Sequence, residues 1–201
     1  MKYRGLVIGA GAIGALLEAE PDRPKPATHA GALAEGLNTE LVGIVDSDVE
    51  VLASAQKLFP QVPQYSNAEE ALTIVKPDLV AIATPAGSHV ALIRSCIAHG
   101  VKMIVCEKPI APSLADAKEI ESLLSGTDVV FVLNYQRRFF RFFGEVRTRI
   151  QSGELGAVQH VTCYYSNGLY NNGGHTADAL EFLLSEPIVT AMPSRWRVLI
   201  L

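Results

Sequence analysis

Short apolar runs alternate with amphipathic stretches over the first two thirds of this chain. Leu6-Val7-Ile8, Glu40 to Asp46, Leu79 to Ala83, Val101 to Cys106 and Val129 to Leu133 each read as a strand buried on both faces. A short third strand is expected near Gln64-Tyr65. Helices fall between them. One runs from Asp48 to Leu58 and is ended by Phe59-Pro60; another starts at Ala68, with Asn67 as cap and Glu70 at the third helical position. A third carries Val90, Ile93, Ile97 and Ala98 on one stripe, and a fourth is capped by Ser113 with Asp116 three residues later. Such alternation predicts an α/β fold over residues 1–134, a doubly wound parallel sheet with ligand-binding residues at the strands' carboxyl ends.

From Tyr135 the pattern changes, and residues 135–201 read as an incomplete α+β second domain. Arg137 to Ile150 predicts a helix, Gly153 and Gly156 a turn, and Ala157 to Tyr165 a strand. That strand would set Val158, His160, Thr162 and Tyr164 against Val161 and Cys163. An apolar helix through Leu184, a strand near Ile188 to Met192 and an apolar tail, Ser194 to Leu201, complete the pattern. Phe139, Phe140, Phe142 and Phe143 read as packing groups between the two halves. An unfinished sheet exposes an edge and an apolar face, which predicts association with a second copy.

The first strand leads into Gly9-Ala10-Gly11-Ala12-Ile13-Gly14, a G-x-G-x-x-G turn that opens a helix over Ala15 to Ala19. Gly9 permits the sharp turn, Gly11 lets backbone approach a pyrophosphate, and Gly14 allows close packing of helix and strand. The N–H groups that follow, at Ala12 and Ile13, and the helix dipole suit phosphate. Lys2 and Arg4 ahead of an apolar stretch also fit a secretory signal, but the glycines break that stretch and Glu18 and Glu20 follow it. A nucleoside-triphosphate loop fails because no Gly-Lys-Ser/Thr follows. Pro21 to Pro26 then ends any helix, and Thr28 caps a second piece through Leu37, with Ala30, Leu33, Ala34 and Leu37 on one face. This insertion covers a cofactor or a neighbouring subunit, or is a surface excursion.

Asp46 ends the second strand, where an acid accepts hydrogen bonds from adenosine ribose hydroxyls. It lies 32 positions beyond Gly14, more than the usual ~20, and the insertion accounts for the excess. A turn or helix-cap role is its plain structural alternative. Ser47 and Asp48 follow with no arginine to balance a 2′-phosphate, which favours NAD over NADP.

Composition narrows the class. A 201-residue chain that is 49% hydrophobic, with mean hydropathy +0.23, is a folded protein with a sizeable core. Its net charge of −4 offers no general attraction to nucleic acid or anionic lipid, and no apolar run reaches membrane-spanning length. Cys96, Cys106 and Cys163 form no C-x-x-C pair and read as thiols in a reducing compartment, with no metal site. The expectation is a soluble, cytoplasmic protein.

Thr84-Pro85, Glu107-Lys108-Pro109 and Asn134 stand at strand ends in the same sheet as the glycine turn. The ordered set Gly9-x-Gly11-x-x-Gly14, Asp46, Thr84-Pro85-x-x-x-His89, Glu107-Lys108-Pro109 and Asn134-Tyr135-Gln136-Arg137-Arg138-Phe139 resembles the glucose–fructose oxidoreductase/inositol dehydrogenase (Gfo/Idh/MocA) family. Farther on, Asn171, Gly173, His175 and Asp178 occupy that family's acid-x-Gly-x-His-x-x-Asp positions. The resemblance implies an NAD-dependent oxidoreductase acting on a secondary alcohol of a sugar or sugar derivative, possibly nucleotide-linked. Lys108 would hold the substrate oxygen and His175 would act as general base, both beside the nicotinamide. Asn171, Asp178 and Tyr135 would contact substrate. Gly9, Gly11, Ala12, Ile13, Gly14, Asp46, Thr84, Pro85, His89, Glu107, Lys108 and Asn134 would contact cofactor, with His89 structural or near the ribose. Asp178 would orient His175 or cap the helix. The arginines at 137, 138, 141, 147 and 149 read as solvated or salt-bridged. Asn171 departs from the family pattern: an amide cannot lend charge to His175 or accept its proton. The second domain also reads as shortened. The rivals are therefore a non-catalytic dinucleotide-binding or assembly protein and a dehydrogenase of a non-sugar substrate.

Overall fold

A computed structural model describes residues 2–190. The chain divides into two compact units, Met1–Asn134 and Tyr135–Leu201. The first is built on six parallel strands: β1 (Tyr3–Ile8), β2 (Thr39–Val45), β3 (Gln64–Tyr65), β4 (Leu79–Ile82), β5 (Met103–Cys106) and β6 (Val130–Leu133). Their order in the sheet is 3-2-1-4-5-6. Side chains alternate along each strand, so Leu6, Ile8, Val80 and Ile82 face one side and Val7 and Ala81 the other. On the first side they meet α3 (Ala68–Val75), α4 (His89–Ala98) and α5 (Leu114–Leu124) through Leu72, Ile93 and Ile120. On the second they meet α1 (His29–Glu35) and α2 (Val49–Leu58) through Ala30, Leu33, Leu52 and Ala55. This is the doubly wound arrangement, and chain direction across the sheet reverses between β1 and β4. A crevice opens at that switch point.

Helix starts follow local chemistry. Thr28, Asp48, Asn67 and Ser113 each accept a backbone N–H from the first turn of the helix they precede.

The first crossover departs from expectation. Leu16–Ala19 is a 3₁₀ turn, not an α-helix, because the prolines that follow leave no room to propagate one. The α-helix of this crossover is α1, and its ladder begins before the insertion. His29 donates its N–H to the Ile13 carbonyl at 3.1 Å, and Ala30 donates to Gly14 at 2.9 Å. Each bond spans sixteen positions where an α-helix spans four. The helix is thus interrupted by a twelve-residue excursion and resumes in register. Taking those twelve residues out of the Gly14–Asp46 separation restores the ~20 positions usual for this fold. The excursion's ends are stapled: Glu18 accepts from Thr28 Oγ1 at 2.5 Å and Ala27 N at 3.1 Å, and Lys25 Nζ donates to the Glu18 carbonyl. α1 itself is no surface feature, since Ala30, Gly31 and Leu33 are buried. It ends at Glu35, however, leaving Leu37 exposed instead of on the packed face.

The second unit begins with a 3₁₀ turn, Gln136–Phe139. Extended backbone at Phe140 separates it from α6 (Arg141–Gln151), so the expected single helix is two pieces. A π-helical turn at Leu169–Gly173 leads into α7 (Gly174–Leu184). Ala157 to Tyr165 forms no strand and is exposed throughout. Alternation supplies a strand's faces but not its hydrogen-bond partner, and among the described residues no strand lies beside this segment. Residues 188–190 are likewise not a strand. The rest of that expected strand and the apolar tail lie outside the described residues. Phe139, Phe140 and Phe142 are exposed, with the rings of Phe140 and Phe142 turned towards Phe143.

Candidate active site

At the β1–β4 crevice each glycine of the turn meets a different demand. Gly9 sits at φ +97° and donates its N–H to the Val45 carbonyl; a Cβ there would strike the Ala83 carbonyl. At Gly14 a Cβ would lie 1.8 Å from the Gly9 oxygen. At Gly11 it would meet nothing within 4 Å, so this position opens onto space. Among the described residues, the backbone N–H groups of Gly11, Ala12 and Ile13 donate to no protein acceptor. That combination of open space and undirected donors fits the pyrophosphate of a dinucleotide.

Asp46 takes the structural role of a turn residue. Its carboxylate accepts Ala10 N–H at 2.8 Å and Asp48 N–H at 3.0 Å, tying β2 to the glycine turn. It also lines a cavity of about 320 Å³ with Gly9, Gly11, Ser47, Thr84 and Pro85. Carboxylate lone pairs remain for further donors. On the far wall, Thr84 Oγ1 lies 2.6 Å from Ser88 Oγ.

His89, expected to be structural or near the ribose, is wholly buried. Its Nε2 lies 2.9 Å from the Thr84 carbonyl and its Nδ1 2.9 Å from the Ile110 carbonyl, with Cys106 Sγ at 3.3 Å. It pins the end of β4 to the loop after β5, and its influence on the site passes through those backbones. Burial pushes the Cys96 and Cys106 thiols up to about 12, so both stay protonated and unreactive at neutral pH.

Glu107, directly after β5, is the hub of a second cluster. Its Oε1 accepts from Asn134 Nδ2 at 2.7 Å and from His29 Nε2 at 2.9 Å, and Oε2 faces Lys108 N at 3.3 Å. Burial raises its pKa, but the bonds from His29 and Asn134, the His29 charge and the Lys108 N–H outweigh it and hold the carboxyl below its ordinary value. Lys108 follows at the strand end and is half-buried. Sequence reasoning missed His29: its place beside Glu107 depends on backbone bonds that skip the excursion, and a histidine after a helix cap does not signal them.

In the second unit, His175 is the second residue of α7, and the Tyr135 ring packs edge-on against it, with centroids 5.6 Å apart. Burial and the Asp178 charge raise the Tyr135 phenol above its ordinary pKa. Asp178, one turn beyond His175, is buried inside the helix and is not its cap. Its carboxylate holds Arg138, with contacts of 2.6 and 2.7 Å, and Arg138 and Arg147 both lie over the Phe182 ring. Arg138 is therefore a structural ion-pair partner, as its cluster suggested. Asn171 lies in the π-helical turn and is exposed. Among the described residues no group of histidines, cysteines and acids could hold a metal, and no helix is long and apolar enough to cross a membrane.

Residues 3–135 match the Gfo/Idh/MocA oxidoreductase family, NAD-binding Rossmann fold. The chain belongs to that family. Inositol 2-dehydrogenase of Rhizobium meliloti is 30% identical over 165 residues, 81% of this chain and 44% of that protein. The rhizopine catabolism protein MocA of Rhizobium meliloti is 27% identical over 164 residues, 81% of this chain and 47% of its own length. Among solved structures, scyllo-inositol dehydrogenase of Lactobacillus casei with bound NAD(H) and scyllo-inositol superposes with TM-score 0.75 at 18% identity. The WlbA dehydrogenase of Bordetella pertussis, in complex with NADH and UDP-GlcNAcA, superposes with TM-score 0.72 at 23% identity. These two superpositions cover 92% of this chain and 57% and 59% of those chains, so the chain spans about half the length of the relatives it matches.

Proposed function

We propose that this protein is an NAD-dependent dehydrogenase that oxidises a secondary alcohol of a sugar, cyclitol or decorated sugar, or runs the reverse reduction. The observation that carries the reading is the open cradle at Gly11, with Asp46 at its edge, in the same sheet as the strand-end Glu107-Lys108 pair. Gly9, Gly11, Ala12, Ile13 and Gly14 would hold the pyrophosphate, and Asp46 the adenosine ribose. Thr84, Pro85 and Asn134 would line the remainder. Bound NAD supplies a two-electron acceptor. The chain supplies the rest. Lys108 donates to the substrate oxygen and stabilises its developing charge, and His175 takes the hydroxyl proton as the C–H hydride leaves. Asn171, an amide, cannot itself accept that proton. Asn171, Tyr135 and Asp178 are assigned to substrate, Asp178 acting through Arg138. Relatives that act on inositol and on a nucleotide-linked sugar support this substrate class.

The test is NADH binding by fluorescence, then hydride transfer across a panel of cyclitols, sugars and sugar nucleotides. Lys108→Met and His175→Asn should each lower kcat by about 10²-fold or more while leaving NADH binding in place. Turnover that survives both substitutions overturns the reading. Asn171 and the unpaired Ala157–Tyr165 segment favour a second reading, a dinucleotide-binding protein without turnover. NADH binding with no activity across the panel would establish it. We also assign a second copy of this chain as partner, supported by the exposed Phe139, Phe140 and Phe142, with no membrane or nucleic-acid role. Sedimentation at micromolar concentration tests the partner.

A further inference from the structure

We propose that His29 is a positioning residue, which couples the cofactor turn to the backbone of Lys108 through the Glu107 carboxylate. The proposal rests on the reading of Lys108 as the group that holds the substrate oxygen.

His29 is attached to the glycine turn, not to the excursion that precedes it in sequence. Its N–H is bonded to Ile13 and the next residue's to Gly14, so the ring is carried by the backbone that would wrap a pyrophosphate. In the uninterrupted helix it would be the third residue after Gly14. Thr28 closes the other side by accepting Gly31 N–H at 3.0 Å. The start of α1 is thereby held from both ends, and the ring has little freedom to leave.

Glu107 gives that ring something to do. The side chains of His29 and Glu107 are each 12% exposed, so their contact is shielded from bulk water. An ionised carboxylate only accepts, so the hydrogen of the 2.9 Å contact is on His29 Nε2. The groups facing Glu107 come from three elements: His29 from α1, Asn134 from the end of β6, and the Lys108 N–H beside it after β5. In the sheet order 3-2-1-4-5-6, β4 lies between β1, which leads into the turn that carries His29, and β5, which ends at Glu107, and no backbone ladder joins β1 to β5. The carboxylate bridges that gap. A shift of the glycine turn on binding dinucleotide is passed through His29 to Glu107, and so to the peptide that carries the Lys108 side chain.

The experiment measures amide hydrogen exchange at Lys108 by NMR, with and without NADH, in the wild-type chain, His29→Ala, His29→Gln and Glu107→Ala. NADH should slow Lys108 exchange in the wild type. In His29→Ala, basal exchange there should rise about tenfold and the response to NADH should vanish. His29→Gln, which keeps a side-chain donor, should restore most of that response. Where turnover is found, His29→Ala should lower kcat about tenfold, the scale of a slightly displaced reacting group, with KM changed less. Adding it to Glu107→Ala should cost nothing further. Should His29→Ala fail to fold, the NADH response in Glu107→Ala, which removes the acceptor, decides in its place. A Lys108 amide that answers NADH equally with and without the His29–Glu107 contact overturns the coupling. A chain that passes this exchange test but turns over no substrate keeps the coupling and loses the catalytic reading.

Discussion

In the unit Met1–Asn134, side chains from distant parts of the chain lock one another. Asp46 holds Ala10, Glu107 holds His29 and Asn134, and His89 joins Thr84 to Ile110. In the second unit, α6 and α7 are joined by Arg147 and Gln151 on Ser185 and by Arg147 over Phe182, while α6 buries no residue at all. A parallel sheet forces distant segments together and then needs polar ties at its strand ends. A helix pair satisfies its own backbone and leaves most side chains wet. The side chains proposed to hold a ligand are therefore cross-tied in the first unit, whereas in the second His175 and Asp178 ride on one helix.

The sharpest test of that difference pits two glycines against each other. Gly14→Val drives a side chain into the Gly9 carbonyl and should cost on the order of 4 kcal/mol or more, unfolding the first unit in urea titration. Gly11→Ala should change stability by less than about 0.5 kcal/mol and yet weaken NADH binding about tenfold, because its Cβ points into open space. Equal losses of stability in both variants would show that the cradle is a packing device.

The second unit predicts a smaller effect. Arg138→Met leaves the buried Asp178 carboxylate without its counter-charge. Breaking a fully buried pair costs roughly 3–5 kcal/mol. Arg138 is 41% exposed, so solvent already screens it and about 1–2 kcal/mol is expected. Helical circular dichroism against urea reads this out, and Asp178→Asn beside Arg138→Met should recover most of the loss.

Glu107→Gln sets a pH signature on the first unit. The native carboxyl titrates below the ordinary glutamate value of 4.5, so its contribution is present above that pH and is lost as pH falls through the native value. The wild type should therefore be the more stable chain at pH 7, and the difference from Glu107→Gln should shrink steadily below about pH 4.5. A gap independent of pH would mean that the carboxylate's shape matters and its charge does not.

How far the sequence could be read follows the same division. β1, β2, β4 and β5 were legible because a strand covered on both faces is a largely apolar run between breakers, and the caps Thr28, Asp48, Asn67 and Ser113 each mark a helix start. Gly9, Gly11 and Gly14 could be assigned separate tasks because each task is a local steric one. His29 could not be read. Its role depends on a ladder that skips the excursion, and hydrogen bonds across sixteen positions leave no periodic trace. The Ala157–Tyr165 alternation misled for the converse reason: a strand is half an object, and its pattern says nothing of a neighbour. For His89 the sequence left a structural place and one near the ribose open, and only the fold shows both ring nitrogens facing backbone carbonyls.

The smallest expected effect tests the interrupted helix itself. Removing Leu16 to Ala27 joins Ala15 to Thr28 and converts the bonds from His29 to Ile13 and from Ala30 to Gly14 into ordinary i to i−4 helical bonds. The variant loses the staple of Glu18 on Thr28 and the packing of Leu16, but it also sheds the entropy cost of closing a loop. These terms oppose, so stability should move by less than about 1 kcal/mol, and NADH affinity by less than about threefold. Thr28 becomes a residue inside the helix, where its hydroxyl can bond back to a preceding carbonyl at little cost. If the shortened chain folds, keeps NADH binding and keeps the His29–Glu107 contact, the first unit is a complete dinucleotide fold onto which the excursion was spliced. If it fails to fold, the excursion is part of the lock between distant segments, and the contrast between the two units is greater than the strand-end ties alone imply.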